Sequence, residues 1–333
     1  MTDISVQIAD GEAVRLPVGT TVREALEKLL SGKQRKRTIG ATVNGTAVDL
    51  SRTLTEDTLL KPIQVDSPEA LDILRHSTSP VRAQAVRELF VLCVKVAIGP
   101  AIEAATHQGV GATVLQAIQA TRQWVQVNTN LGSVLLIAPL ACVPREQPLA
   151  AGVAAVLRGL TAEDARQVYE AIRLAQPGGL GRADRMDVAG PPPPDLLAAM
   201  RLAADRDLVA RQYVNGFQQV LEFAVPSLTE GVQTGWRLTD AVIHTQMRLM
   251  SEYPDSLIAR KCGDDLARRS AEFAARVLAA GRPGEDGYQH VLADFDFWLR
   301  CDGNRRNPGT TADLLAAALF VILRDDRIRP PFA

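Results

Sequence analysis

The first 65 residues alternate between apolar and polar positions with the short period of β-strands. Turn residues such as Asn44-Gly45 separate the runs, and one stretch has helical spacing instead. The predicted elements are, in order, a strand over 3–9, a strand around Val14 and Leu16, a helix over 22–29, and strands over 39–43, 47–50 and 59–65.

Beyond Phe90 the apolar positions recur at three and four residues, and no strand is predicted between 91 and 333. Thr161 and Asp164 have the spacing of a capping box. The remaining helices are predicted as a long helix from Asp195 past Arg211, one from Ser256 to Gly281, one over 288–299, and one from Thr310 or Thr311 to about Leu323.

Composition narrows the classes of function. The formal net charge is -1, so the surface as a whole is not built to neutralise nucleic acid or an anionic membrane. The four cysteines are far apart, which favours buried thiols over a disulfide framework or a structural zinc site. The start of the chain is polar, and no apolar run is long enough to span a bilayer, so we expect a cytoplasmic protein.

The N-terminal pattern resembles a known module. The order of elements is that of a ubiquitin-like β-grasp fold, and Leu16–Val22, Val43–Gly45 and Val48–Leu50 resemble the TGS domain that opens threonyl-tRNA synthetases. The resemblance continues into the start of the synthetase editing domain, over Asp66–Thr78 and Ala83–Phe90. It implies a β-grasp domain over 1–65 and a helical linker over 66–90.

Two features bear on what this module does. Ser79-Pro80 occupies the place of the second histidine of the editing site, and no later His-Cys-Gly element follows, so we predict no working editing site. The basic run 33–37 would suit contact with RNA, which is a partner that a TGS module implies. Acidic residues balance this run across the first 90 positions, so we favour a solvated loop.

Four polar segments in the helical part contain residues typical of helix starts: 128–132, 177–181, 254–261 and 304–313. Free N–H groups at helix starts attract anions, and nearby Arg or Lys strengthens the attraction. Each segment alone is explained by ordinary capping. If several converge on one cleft, they form a site for a polyphosphate.

Together these segments resemble the triphosphoribosyl-dephospho-CoA synthase family. The most specific parts are Tyr169–Ala175 with Pro177–Gly181, and Asn307–Leu314, and the resemblance covers roughly 91–325. It implies an all-α domain over 91–333, and so a mainly α chain. It also implies a transferase that joins ATP to dephospho-CoA, releases adenine and makes a prosthetic-group precursor. Another ribosyl acceptor, in methanopterin-linked one-carbon cofactor biosynthesis, stays open.

Such a reaction needs a carboxylate near an oxocarbenium-like transition state, and cations with Mg²⁺ for the triphosphate. Asp207 and Asp205 are the predicted catalytic residues, and Asp187 and Asp207 the predicted Mg²⁺ ligands. A surface ion pair with Arg211 explains Asp207 equally well, and Asp187 also fits a loop carboxylate. The predicted ATP- and triphosphate-binding residues are Asn128, Asn130, Gly178, Gly179, Arg260, Lys261, Arg306, Thr310 and Thr311.

One departure from the family keeps a second class of protein open. The family's N-terminal helix and Lys-Pro-Gly motif, expected before Val96–Pro100, have no counterpart. The junction at Phe90-Val91 fits a natural fusion with altered function, a fusion whose first module occupies the missing segment's place, or an error in the sequence. The alternative function is a non-catalytic nucleotide- or RNA-binding protein.

Overall fold

The structure is a computed structural model that describes residues 3–8, 13–31, 34, 38–48, 50, 52–64, 98–123, 128, 130–302 and 305–328. These residues form two compact units. The first contains the described residues up to Gln64 and those between Arg276 and Asn307; the second contains those from Ile98 to Ala275 and from Pro308 onward. The predicted linker over 66–90 and most of the basic run 33–37 lie outside the described residues.

The first unit contains a five-stranded mixed sheet and a short helix, in the predicted order. Helix α1 begins with the capping box of Thr21 and Glu24. The elements are β1 (Asp3–Ile8), β2 (Ala13–Pro17), α1 (Val22–Leu29), β3 (Thr38–Val43), β4 (Thr46–Val48) and β5 (Thr58–Gln64).

The strand order is β2-β1-β5-β3-β4, with β1 and β5 parallel and the other pairs antiparallel. Asn44 and Gly45 form the predicted hairpin turn with positive φ. The buried faces of the sheet and of α1 share one core, which includes Val6, Val22 and Leu60. Alternation along the strands therefore predicted which side chains are inside.

A late helix also belongs to this first unit. Helix α13 (Asp286–Arg300) packs against β3, and Arg23 of α1 lies 3.5 Å from the carboxylate of Asp294. Burial raises the pKa of Asp294. The helix itself is where its apolar spacing predicted it, but the pattern did not predict that it would pack on the sheet.

The second unit is helical, and none of its described residues forms a strand. Its helices are α2 (Gly99–Glu103), α3 (Ala105–Arg122), α4 (Leu131–Ala141), α5 (Leu149–Arg158), α6 (Ala162–Ala175), α7 (Leu196–Ala203), α8 (Leu208–Asn215), α9 (Val225–Gln233), α10 (Leu238–Glu252), α11 (Ser256–Cys262) and α14 (Gly309–Arg324), and a π-helical segment (Gln219–Ala224) precedes α9. In the sequence, the boundary between the two units falls within α12 (Asp264–Ala279), at Ala275-Arg276.

Helix α14 lies at the centre of this unit, packed against α4, α9, α10 and the π-helical segment. It is apolar around most of its circumference, which is expected of a helix with neighbours on every side. Helix α4 is buried along nearly its whole length. Helix α6 begins at the predicted capping box of Thr161 and Asp164. No helix among the described residues has the length and apolar character needed to cross a membrane.

Two predicted long helices are each divided in two. The helix predicted from Asp195 stops at Ala203 and restarts at Leu208, with Asp207 as the N-cap of α8. The helix predicted from Ser256 is interrupted at Gly263, which has φ +93°. No atom lies within 4 Å of a Cβ built there, so the backbone conformation requires glycine.

Candidate active site

Helices α11 and α14 begin at one buried carboxylate. Asp255 is the N-cap of α11, and its Oδ1 accepts hydrogen bonds from the N–H groups of Leu257 at 2.8 Å and Ile258 at 3.0 Å. Its Oδ2 accepts from the N–H and the hydroxyl of Thr311, at 2.7 and 2.8 Å, in the first turn of α14. Four donors to one carboxylate fix the two helix starts against each other.

The next residue adds a third helix start. Ser256 Oγ accepts a hydrogen bond from the N–H of Leu208 at 3.2 Å, at the beginning of α8. The same hydroxyl donates to Thr310 Oγ1 at 3.0 Å. The starts of α8, α11 and α14 therefore meet at Asp255-Ser256. The positive ends of their backbone dipoles favour anionic groups near this point.

Asp207 pairs with Arg260 where these helices meet. Its Oδ1 caps the N–H of Val209 at 2.8 Å, and its Oδ2 accepts a hydrogen bond from the Arg260 guanidinium at 2.5 Å. The predicted alternative partner, Arg211, is not bonded to this carboxylate. Its Nε donates instead to the carbonyl of Ala204 at 3.0 Å, at the end of α7. About a quarter of each paired side chain is exposed, so the pair lies at the edge of the cluster.

The glycine-rich loop contacts the same part of α11. A Cβ built on Gly179 would lie 3.4 Å from Lys261 Cγ and 3.6 Å from Arg260 Cβ, and one on Gly178 would lie 3.7 Å from Lys261 Cε. Gly179 has φ +74°, which favours glycine. Unlike the other three polar segments, this one follows a helix, α6, instead of beginning one. It brings exposed backbone beside the two cationic side chains.

The rest of this loop is held by two side chains, one of which was predicted to bind metal instead. Asp187, predicted as a metal ligand, accepts hydrogen bonds from the N–H groups of Ala183 at 2.6 Å and Ala189 at 2.8 Å. These bonds lower the pKa of its carboxyl. Tyr169 donates its hydroxyl hydrogen to the Met186 carbonyl at 2.8 Å. Asp187 is thus used to order the loop.

A fourth helix start, that of α4, lies close to α14. Asn130 is almost fully buried and donates from Nδ2 to Thr121 Oγ1 at 2.9 Å. Asn128 Oδ1 accepts from the N–H of Leu131 at 3.2 Å. Both predicted asparagines therefore shape the entry into α4. Their side-chain amides are committed to the protein at these contacts.

Asp313 joins α4 to α14. Its Oδ1 accepts a hydrogen bond from the hydroxyl of Ser133 at 2.6 Å. A Cβ built on Gly132 would lie 1.9 Å from Asp313 Oδ2. Only a residue without a side chain leaves space for the carboxyl, because real Cβ atoms are not found so close to an oxygen. Gly132 and Asp313 thus form a complementary pair.

The environment of Asp313 raises its pKa to about 7, chiefly through burial. The negative charges of Asp255 and Asp207 raise it further, while hydrogen bonds from Ser133 oppose the shift. Burial also raises the pKa of Asp255, and the hydrogen bonds that it accepts oppose that effect. Burial therefore raises the pKa of both carboxyls.

Two predicted residues lie apart from these contacts. Arg306 belongs to the first unit, where its guanidinium lies 4.4 Å from the ring centroid of Trp298 and donates to the Trp298 carbonyl at 2.9 Å. Asp205 is exposed in the link between α7 and α8, and its carbonyl accepts a hydrogen bond from Arg211. Among the predicted residues, Asp207, Arg260, Lys261, Thr310, Thr311 and the two glycines are brought together.

Sequence reasoning missed four residues of this cluster: Ser133, Asp255, Ser256 and Asp313. Asp255 and Ser256 lie in a segment that was predicted to start a helix. Capping alone explained both residues, so neither was predicted to belong to the site. Asp313 had a signal of its own. It lies one turn into a helix that is otherwise almost wholly apolar, where an acidic side chain needs a buried partner.

The described residues contain no group of three or more His, Cys, Asp or Glu side chains placed to hold a metal ion. Asp187 and Asp207 each use both oxygens in hydrogen bonds already. The Mg²⁺ assignment stays a prediction. Mg²⁺ in phosphate sites is commonly held by one or two carboxylates and the substrate's own phosphates, so a protein-only cage is not required.

Comparison with known proteins identifies the family of this helical cluster. A family model, CitG, described as ATP:dephospho-CoA triphosphoribosyl transferase, matches residues 83–331. The chain belongs to this family. The match begins somewhat before the resemblance predicted from about 91, and it includes the helix starts described above.

A solved structure has the same helical fold. The crystal structure from Archaeoglobus fulgidus, described as a triphosphoribosyl-dephospho-CoA synthase, aligns with a TM-score of 0.54 and 28% identity. The alignment covers 70% of this chain and 98% of that chain. Nearly the whole of that protein thus corresponds to a part of this one.

The N-terminal part has relatives of another kind. A threonine–tRNA ligase of Nitratidesulfovibrio vulgaris is 41% identical over 95 residues, or 28% of this chain and 15% of the ligase. Threonine–tRNA ligase 2 of Bacillus subtilis is 41% identical over 99 residues, or 30% of this chain and 15% of that ligase. The predicted resemblance to both families is confirmed. The chain spans about 15% of the length of these ligases.

Proposed function

We propose that the chain transfers the triphosphoribosyl group of ATP to a ribose hydroxyl of dephospho-CoA, or of a related ribosyl acceptor, and releases adenine. The observation that carries the proposal is the meeting of three helix starts at Asp255-Ser256, with the Asp207–Arg260 pair beside it. The family description supports the same reaction.

The triphosphate would be held by cations and backbone donors. Arg260 and Lys261 lie together at the end of α11, beside the exposed backbone of Gly178 and Gly179. Arginine offers paired donors to phosphate oxygens, and lysine a compact charge. We assign Thr310 and Thr311 a supporting role, because both are buried and their hydroxyls already bond to Ser256 and Asp255.

Asn128 and Asn130 support the site in the same indirect way, by fixing the entry into α4. Asp207 is proposed to orient Arg260 and to contribute negative charge near the oxocarbenium-like transition state. Asp205 lies in the exposed link between α7 and α8, and any contribution to catalysis would come from that position. Arg306 has no assigned role in this scheme. Mg²⁺ would arrive bound to the triphosphate and would neutralise part of its charge.

The decisive experiment measures free adenine. The purified chain is incubated with Mg-ATP and dephospho-CoA, and then with other ribosyl acceptors, including cofactors of one-carbon metabolism. We expect adenine in equal amount to the triphosphoribosylated product, and only when an acceptor is present. Adenine release that does not depend on an acceptor would indicate hydrolysis of ATP and would contradict the transferase assignment.

The variant Lys261→Gln tests triphosphate binding. Its matched control is Lys61→Gln, at an exposed lysine of the first unit. We expect the KM for ATP to rise in Lys261→Gln only, because the lost charge lies beside the glycine loop. An unchanged KM for ATP in Lys261→Gln would remove this residue from the proposed site.

The similarity to threonine–tRNA ligases favours a second candidate, binding of RNA or a regulatory nucleotide by the N-terminal module without catalysis. It predicts no adenine with any acceptor and RNA binding that is lost when residues 1–65 are removed. A filter-binding titration of both forms, run beside the adenine assay, distinguishes the candidates.

A further inference from the structure

We infer that Asp313 is the proton acceptor that activates the attacking hydroxyl of the ribosyl acceptor. The inference rests on the proposed function and assigns a role to a residue that lies in the family-like segment Asn307–Leu314 but is not among the predicted site residues. It follows from comparing the three carboxylates that lie at the meeting helix starts.

Two of the three carboxylates are committed to other groups. Asp255 accepts four hydrogen bonds, from Leu257, Ile258 and, twice, from Thr311, and it joins two helices. Asp207 accepts a backbone hydrogen bond and is paired with the Arg260 guanidinium. Both oxygens of Asp207 are therefore already used as acceptors within the protein.

Asp313 differs from both of them. It accepts hydrogen bonds from the hydroxyl and the backbone N–H of Ser133, and no cationic side chain among the described residues forms an ion pair with it. Gly132 leaves the other oxygen, Oδ2, without a side chain above it. Ser133 thus fixes the orientation of the carboxyl, and Gly132 leaves room for Oδ2 beside α4.

The electrostatic environment supports the same role. With a pKa of about 7, the Asp313 carboxyl is partly ionised at neutral pH and still basic enough to take a proton. Burial is the main cause of this raised pKa. The negative charges of Asp255, at the start of α11, and of Asp207, at the start of α8, raise it further. An ordinary exposed aspartate would be ionised but far less basic.

The proposed step balances as follows. The acceptor hydroxyl oxygen forms a bond to C1′ of the ATP ribose, and the C1′–N9 bond breaks with its electron pair going to adenine. The hydroxyl proton passes to the Asp313 carboxylate. Adenine takes up one proton from solvent and Asp313 later returns one, so ATP and the acceptor give the triphosphoribosylated product and neutral adenine.

The test compares Asp313→Asn with Asp325→Asn, a change at the other end of α14, across a pH series. We expect wild type to lose kcat for adenine release as pH falls below about 7, and Asp325→Asn to behave identically. Asp313→Asn should lower kcat by roughly 100-fold or more and abolish that pH dependence, with little change in the KM for ATP.

Ser133→Ala keeps the inference testable if Asp313→Asn does not fold. Loss of the Ser133 hydroxyl removes a hydrogen bond that lowers the pKa of Asp313. The acidic limb of the kcat profile should therefore move to higher pH by roughly one unit. Activity in Asp313→Asn with the wild-type pH profile, or an unmoved limb in Ser133→Ala, overturns the role of Asp313 alone. Absence of adenine from the wild-type chain overturns the proposed function as well.

Discussion

The Arg260 guanidinium lies 2.5 Å from the carboxylate of Asp207, which is 53 residues earlier in the chain. The contact joins the last turn of α11 to the first residue before α8. Asp207 is also the N-cap of α8, so one side chain both starts this helix and orients the Arg260 guanidinium. Structural and electrostatic roles are therefore combined at this position, and substitutions can separate them.

Asp207→Asn should remove the charge and keep the cap. Asparagine caps helices about as well as aspartate, so we expect the thermal midpoint to fall by only a few degrees. Arg260 loses its ionic partner and its fixed orientation, so adenine release should fall by about 100-fold or more. Thermal unfolding and the adenine assay on the same preparation measure both effects.

Asp195→Asn is the matched control for this change. Asp195 is likewise the N-cap of a helix, α7, and lies 3.9 Å from the exposed Arg201, but it contacts no residue of the candidate site that the structure describes. We expect unchanged adenine release and an unchanged midpoint. A large fall in the midpoint of Asp207→Asn, without a comparable fall in Asp195→Asn, would show that Asp207 acts mainly in stability.

Asp255→Ala should be strongly destabilising. The substitution leaves four donors at the starts of α11 and α14 without their acceptor, in a fully buried place. We expect a loss of about 3–5 kcal/mol in the free energy of unfolding, measured by urea denaturation. Asp195→Ala, which removes an exposed cap, should cost only about 1 kcal/mol. Equal losses in the two variants would contradict the role given to Asp255.

The local elements were predictable because they depend on neighbouring residues. Apolar spacing placed α13 and α14, and the hydroxyl–acid pair of Thr161 and Asp164 placed the start of α6. The break before α8 was not predictable in this way. Met200, Ala204 and Leu208 continue one apolar row through it, and the N–H of Leu208 is satisfied by Ser256, 48 residues away.

The candidate site also has a part that the sequence predicts and a part that depends on contacts between distant residues. The residue types at helix starts indicated anion binding, and Arg260 with Lys261 indicated cations in one of these segments. Which starts meet depends on contacts such as Ser133 with Asp313, which are 180 residues apart. The raised pKa of Asp313 follows from burial and from charges on two other helices, so no local pattern contains it.

The stability of the chain should depend on pH through Asp313. Its pKa is about 7 in the folded chain and near 3.8 when unfolded, so the folded state binds more protons between these values. The stabilisation from the protonated carboxyl is complete below about pH 4 and is lost as pH rises to about 7. Relative to Asp313→Asn, wild type should therefore lose roughly 2–4 kcal/mol over this range.

Urea denaturation of both proteins at intervals from pH 4 to 8 measures this difference directly. Subtracting the two curves cancels the contribution of every group that titrates alike in both. We expect the difference to level off above about pH 7, where the carboxyl is ionised in both the folded and unfolded wild type. A difference that rises with pH would mean that folding lowers the pKa of Asp313.

Gly132→Ala should disturb the pair that Gly132 forms with Asp313. The added Cβ would lie 1.9 Å from Asp313 Oδ2, so the carboxyl or α4 must move. We expect a loss of about 1–3 kcal/mol in the free energy of unfolding and a matching fall in adenine release. Gly159→Ala is the control, since its Cβ would lie 3.5 Å from the nearest atoms, at ordinary contact distance. Urea denaturation of both variants gives the comparison. If Gly132→Ala is as stable and as active as Gly159→Ala, the close contact between α4 and the Asp313 carboxyl does not hold in solution.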